Sequence, residues 1–279
     1  MASAAGRRML RVALPLAPAV VLLLVVFVYP LARMIALSFD APGGPLAHYA
    51  AILASPVYMT VLGLTFKTAL GVTLWCVVLG VPTAYLLANL QGTWRHVCLV
   101  AVALPFLTSI LIRTYAWMAI LGRNGVVNQA LQGTGFTDAP LRLMHNEFGV
   151  YVGMVHVLLP LMILPVYSVM TAIDRRLLRA AESLGASPRR ALITVFFPLA
   201  LPGIASGALL VFLIAIGFYI TPALLGGPKD VMISNLIEVH VIELLNWGFG
   251  SALGFVLLAA TVIIMVLFDR FLGLERLTV

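Results

Sequence analysis

Apolar residues run along this chain in six blocks, roughly 12–37, 57–89, 97–121, 149–170, 199–222 and 248–271. Short stretches carrying most of the charge separate them. Crossing a hydrocarbon core of ~30 Å takes about 20 helical residues, so each block predicts one membrane-spanning helix. The second block exceeds one span, and its start, SPVYMTVLGLTFKTAL, is expected at the membrane surface. Between the fourth and fifth blocks the pattern changes. Five arginines (175, 176, 179, 189 and 190) fall among Leu177, Leu178, Ala181, Leu184 and Gly185, which recur at spacings of three and four. That period predicts an amphipathic helix over Thr171–Leu184. Gly185 suits a left-handed helix end, and Ser187 followed by Pro188 is a cap plus first-turn proline that starts a second helix. The predicted unit is helix, tight turn, helix, returning to the membrane at Phe197–Pro198. A basic amphipathic element of this kind serves either to lie on anionic lipid or to dock on a partner.

Composition agrees with the pattern. The chain of 279 residues is 62% apolar and only 10% charged, against about 25% charged in a soluble domain, which makes it an integral membrane protein. Its first 34 residues could pass for an export signal, because Arg7, Arg8 and Arg11 precede an apolar run and the arginine pair resembles a twin-arginine signal. The run continues for over 20 residues with no small-residue cleavage site behind it, so a retained first helix is expected. Short cytoplasmic segments carry the excess of Lys and Arg. With the amino terminus inside, those segments hold Arg7, Arg8, Arg11, Arg95, Arg175, Arg176, Arg179, Arg189, Arg190, Arg270 and Arg276, eleven of seventeen basic residues. Both termini are then cytoplasmic. The net charge of +7 reports topology and calls for no nucleic-acid partner.

Site chemistry is sparse. Cys76 and Cys98 read as small packing residues, and His48, His96, His145, His156 and His240 are too scattered for a metal site. No Gly-rich phosphate loop follows a strand and no Ser/His/Asp set is indicated, so a nucleotide acting on this protein must be bound by another chain. Gly217, Pro222, Gly226, Gly227 and Pro228 cluster where the fifth span should end. Either the helix is broken there, exposing backbone to a central cavity beside Phe218, Tyr219, Thr221 and Pro222, or it simply ends in a tight loop. Lys67 and Arg113 are the basic residues best placed within spans, as functional groups or as side chains reaching water; Tyr115, beside Arg113, joins the pathway candidates. Asn128, Asn235 and Glu238 are candidate outer-face contacts.

The segment LRAAESLGASPRRALITVFFPLALPGI resembles the cytoplasmic loop of permease subunits in binding-protein-dependent ABC importers. That loop reads Glu-Ala-Ala, three residues, Gly, nine residues, Ile-x-Leu-Pro. Ala180, Ala181, Gly185 and Pro198 match, and Val195 and Phe197 replace Ile and Leu. Three further stretches, 104–131, 139–170 and 217–237, are similar to the spermidine/putrescine-type permeases, so the resemblance runs from about residue 60 onward. It implies an all-α membrane protein with six transmembrane helices and the type I importer fold. Residues 1–56 form the first helix and periplasmic loop, and 57–279 a five-helix transport core that includes the loop 171–198. It further implies that the loop is a coupling helix seated in a cytoplasmic ATPase dimer, placing that contact on Arg179, Ala180, Ala181, Glu182, Leu184, Gly185, Ala186, Ser187, Pro188 and Pro198. ATP and Mg are then bound by the ATPase, with no cofactor or catalytic residue in this chain. A second homologous permease and a periplasmic solute-binding protein complete the machine.

One position departs from the pattern. Arg179 stands where the first Glu is usual, and the acid comes three residues later as Glu182, so an inverted ion pair between them is expected to serve partner recognition. The solute is open. All ten acidic residues lie in loops, at span ends or in the termini, and Tyr219–Ala223 lacks the acidic residue that polyamine-type relatives often carry after the fifth-span break. Polyamines therefore stand against an opine-like, amino-acid-like or anionic organic solute. A secondary transporter would need a coupling-ion site and usually an inverted repeat, and a non-transporting scaffold would use the arginine-rich loop for docking alone.

Overall fold

The computed structural model describes residues 16–272, and every regular element in them is helical. Arg7, Arg8, Arg11 and Arg276, and the first residues of the opening apolar block, lie outside the described residues. The helices are α1 (Leu16–Ser38), α2 (Ala47–Ala54), α3 (Pro56–Asn89), α4 (Gly92–Leu107), α5 (Ile110–Leu121), α6 (Val126–Gly133), α7 (Glu147–Ala172), α8 (Arg176–Ser183), α9 (Pro188–Ile216), α10 (Ile220–Leu225), α11 (Ile233–Glu238) and α12 (Trp247–Leu272). Five are long and apolar enough to cross a bilayer: α1, α3, α7, α9 and α12.

The third expected span, 97–121, is not one straight helix. It is built from α4 and the helical stretch Ile110–Gly133, which meet at a 99° bend. Six spans result when the bent pair is counted as one. The cause lies in Pro105 and Thr108: proline weakens the last turn of α4, and both the Thr108 backbone N–H and its hydroxyl donate to the Pro105 carbonyl. Thr108 and Ser109 are extended, so the chain leaves the helix with that carbonyl already satisfied. The second block is unbroken over 34 residues, about 50 Å at 1.5 Å per residue. Its first turns are exposed or half-buried, and burial begins at Thr65.

Prolines also shape the long helices. Within α1, Leu24–Val28 widens into a π turn just before Pro30, and within α9, Leu192–Phe196 does the same before Pro198. A proline ring collides with the carbonyl four residues back, and a wider turn makes room without ending the helix. The chain at Phe197–Pro198 therefore continues a rod that began at Pro188.

The chain forms two compact units. One contains residues 57–235 with the far end of α12, and its centre is the packing of α7 on α9. Gly203 and Gly207 let these helices approach: a Cβ on Gly203 would lie 2.9 Å from Val169 Cβ, and one on Gly207 2.9 Å from Met162 Sδ and 3.2 Å from the Met162 carbonyl oxygen. Close backbone approach through small residues is how helices gain packing energy in lipid. Met154, Leu158, Met162, Val166 and Met170 of α7 are wholly shielded there. The other unit holds α1, α2 and residues 236–258. Phe39, Tyr49 and Phe255 form an aromatic cluster with centroids 5.3–6.2 Å apart, and Ser38 and Tyr49 share a 2.6 Å hydroxyl bond.

Gly207→Leu should overpack the α7–α9 seam, costing about 1–3 kcal/mol. Thermal unfolding in detergent should show a lowered midpoint, whereas Ser206→Leu, on the exposed side of the same turn, should leave it close to wild type.

Candidate functional site

The arginine-rich stretch forms the expected helix, turn, helix, with one change of boundary. Thr171 and Ala172 complete α7, and Ile173 leaves the helical region with ψ 123°. The amphipathic helix is therefore Arg176–Ser183, shorter than the expected Thr171–Leu184. Asp174 starts it: its carboxylate accepts from the Arg176 N–H at 2.8 Å. At the other end Gly185 has φ +91°, and the N–H groups of Gly185 and Ala186 return to the carbonyls of Glu182 and Ala181. A side chain is strained in that conformation. Ser187 accepts from the Arg190 N–H at 3.4 Å with Pro188 in the first turn, so the cap predicted from Ser-Pro is present.

Exposure divides the loop. Leu178, Ala181 and Ala186 are half-buried, while Arg179, Ala180, Glu182, Gly185, Ser187, Pro188 and Pro198 are exposed. Leu184 is 90% exposed. At that exposure it buries little apolar surface within this chain. Arg179 and Glu182 form no ion pair within 4 Å, contrary to expectation; both remain open to the surroundings. Arg followed by Glu is the weaker order on a helix, and an exposed pair of this kind gains little.

Arg175 carries a contact that spacing alone does not reveal. Its guanidinium donates to Asn89 Oδ1 at 2.7 Å and to the Ala88 carbonyl at 3.0 Å, capping the C-terminus of α3 as cations do. The loop is thereby tied to a helix 86 residues earlier in the chain.

The fifth-span break is real but closed. α9 ends at Ile216, and α10 starts at Ile220. The Phe218 and Tyr219 carbonyls between them accept from Ser234 Oγ (2.6 Å) and Asn235 Nδ2 (3.2 Å). Neighbouring side chains have taken the bonds the break released. Phe218, Thr221 and Pro222 are buried, whereas Tyr219 and Tyr115 are exposed. Thr221 meets Thr114 of α5 at 3.5 Å. Arg113 is half-buried, and its Nε and Nη1 are shut off from solvent without a hydrogen-bond partner among the described residues. Lys67 bonds Glu147 at 2.8 Å.

Two outer-face candidates are structural struts instead. Asn128 is 1% exposed; it donates to the Gly122 and Leu141 carbonyls and accepts from the Leu141 N–H. Asn235 accepts from Met232 N–H while bonding Tyr219. Amide side chains cap irregular backbone in this way wherever turns are buried.

The profile of the family described as binding-protein-dependent transport system inner membrane component matches residues 77–274. The chain is 38% identical over 225 residues to the spermidine/putrescine transport system permease protein PotB of Salmonella typhimurium, covering 81% of this chain and 78% of that one. It is 40% identical over 200 residues to PotB of Escherichia coli K12, covering 72% and 73%. In fold it is similar to a chain in the crystal structure of a bacterial ABC transporter involved in the import of the acidic polysaccharide alginate, with TM-score 0.78, 17% identity and 98% of each chain covered. It is also similar to a chain of the MetNI methionine ABC transporter in inward-facing conformations, with TM-score 0.59, 16% identity, and 81% and 100% covered.

Arg175→Ala should free the loop from α3. Bonds from a charged donor contribute about 1.5–3 kcal/mol each, so trypsin should cut after Arg176 and Arg179 roughly tenfold faster in the solubilised protein, with no such change in Arg190→Ala.

Proposed function

The chain belongs to the family of binding-protein-dependent transport system inner membrane components, and on that premise we propose that it is one permease half of an ATP-driven importer for a polyamine-type solute. It is a multi-pass inner-membrane permease. We assign transport to residues 57–279, the cytoplasm to both termini, and the arginine-rich loop to docking on an ATPase. ATP and Mg belong to that ATPase dimer. A second, homologous permease completes the pore, and a periplasmic binding protein delivers the solute.

The observation that carries this reading is the loop's geometry. A 90% exposed leucine stands next to a left-handed glycine, on a turn whose two ends are fixed by Asp174, Arg175 and Ser187. An interface takes most of its energy from a desolvated apolar anchor, while rim charges tune rate and salt dependence. Leu184 fits the anchor, and the surrounding arginines, with Arg179 and Glu182 unpaired to each other, fit the rim. A role on lipid alone would depend on the number of arginines instead.

The mechanism rests on linkage. ATP closes the ATPase dimer and thereby favours one arrangement of the membrane helices over the other, because it binds one state better. At rest the pathway opens inward. With ATP bound it opens outward and receives solute from the binding protein, and hydrolysis returns it. Within this chain Pro188–Ile216 is one continuous helix, linking the docking turn to the break before Phe218. The solute assignment draws on the PotB relatives, whose names carry spermidine and putrescine. Tyr115, Tyr219 and Arg113 are proposed to border the passage, with Phe218, Thr221 and Pro222 packing behind it.

Leu184→Asp and Gly185→Val should each abolish ATPase co-purification or uncouple ATP hydrolysis from uptake in reconstituted vesicles, while membrane insertion stays normal. A β-branched residue at positive φ opposes the turn by roughly 1–2 kcal/mol. Arg179→Ala should be milder. Wild-type assembly and uptake in both of the first two variants would remove the docking assignment.

A further inference from the structure

Tyr219–Ala223, which comes directly after the fifth-helix break, holds no carboxylate, so a solute bearing ammonium groups must find its counter-charge elsewhere in the passage. Glu147, the first residue of α7, offers one. Its Oε1 lies 2.8 Å from Lys67 Nζ, and the two side chains are 42% and 61% exposed. Tyr151 lies one turn along α7 from Glu147. Gly71 of α3 makes room for it, since a Cβ there would collide with the Tyr151 ring and hydroxyl.

Tyr151 is also a wall of a groove of about 430 Å³ between α3, α5 and α7. Its other aromatic walls are Trp75, Trp117, Phe148 and His156, with aliphatic residues between them. That volume is ordinary for a small-molecule site. The Trp117 indole is fixed in place, because its N–H donates to His156 Nδ1 at 3.2 Å and the rings meet edge-on at 5.5 Å.

We propose that this aromatic groove, together with Glu147, the residue before its Phe148 wall, is a subsite for a primary ammonium group of the transported solute and the aliphatic chain behind it. The proposal rests on the polyamine-type reading above and deepens it. Its basis is chemical complementarity. Lys67 is an alkylammonium on a four-carbon stem, a tethered likeness of one end of an aliphatic diamine, and it already occupies the carboxylate. Both partners are partly open to solvent, so an arriving ammonium can displace it. Aromatic faces attract cations and cover methylene stems well. A larger cavity of about 900 Å³ has Arg123 and Arg142 in its lining, the wrong charge for such a solute. The groove differs from the fifth-span break in lying on α3, α5 and α7.

The assembled transporter in proteoliposomes, supplied with its binding protein loaded with labelled putrescine or spermidine, tests the assignment through initial uptake rates. Glu147→Gln should lower the rate about tenfold, the scale of losing one charge-assisted bond. Glu147→Asp should retain most of it. Trp117→Leu, which keeps the wall apolar but removes its π face, should lower the rate about threefold. Lys67→Met should hold or raise the rate, because the tethered competitor is gone. Membrane abundance and ATPase co-purification of each variant show that it assembles. Equal losses in Glu147→Gln and Lys67→Met, restored in the exchanged pair Lys67→Glu with Glu147→Lys, would reduce the contact to a structural strut and overturn the subsite. Unchanged uptake in Glu147→Gln, with wild-type uptake intact, would also remove the subsite and leave the solute reading standing. No uptake of either polyamine by the wild type would overturn both.

Discussion

A chain in hydrocarbon must satisfy its own backbone, since water is absent and each orphaned peptide group costs several kcal/mol. That constraint shapes several irregular points among the described residues. Where α4 ends, Thr108 returns both its hydroxyl and its N–H to Pro105. Between α9 and α10, Ser234 and Asn235 donate to the two exposed carbonyls. At the end of α3, Arg175 reaches the Ala88 carbonyl. Prolines 30 and 198 are absorbed by π turns rather than by breaks. At each of these points a nearby side chain or a widened turn satisfies the backbone that the irregularity frees.

The same constraint explains which parts of the protein are legible in sequence. Helix positions are, because a span needs length and apolarity and nothing else. The turn at Gly185 and the cap at Ser187–Pro188 are too, since both are local: their partners lie within a few residues. The 99° bend escapes a reading by blocks although Pro105 and the Thr108–Ser109 pair announce it, because the apolar residues that dominate 97–121 outweigh a few polar ones. The Arg175 clamp on Asn89 and the bond from Ile233 N–H to Thr65 Oγ1 at 2.9 Å have no sequence signal, as their partners are 86 and 168 residues apart. Asn128 and Asn235 look outward-facing in sequence because polar residues near a span end ordinarily meet water; here irregular backbone claims them first.

A similar competition bears on the coupling pattern. Arg179 in place of the usual glutamate suggests an inverted pair with Glu182. No such pair forms, and the loop holds its shape without one, through Asp174, Arg175, Gly185 and Ser187. Charge at position 179 is therefore not needed to build the turn. Its remaining contribution is the surface it presents, which agrees with a rim role in the proposed docking and leaves the apolar tip to supply affinity.

Transmission through this chain then reduces to a question of stiffness. The turn at Gly185, proposed to dock, leads at Pro188 into a helix of 29 residues that runs to Ile216, about 43 Å at 1.5 Å per residue. The π turn at Leu192–Phe196 packs rather than frays: Phe196 is 1% exposed and meets Tyr85 of α3 edge-on at 5.5 Å, and Pro202 also stands inside the helix. Along its length Gly203 and Gly207 lock it against α7, so a displacement at the turn cannot be absorbed by sliding alone. The first place where the backbone can yield is Gly217–Tyr219, between two helices. In the proposed docking, a rod held at one end by the ATPase and ending at the other in a three-residue joint would move the helix beyond that joint. This helix is α10, whose Thr221 touches Thr114 on the bent third span, so the two irregular spans of this unit meet just beyond the end of α9.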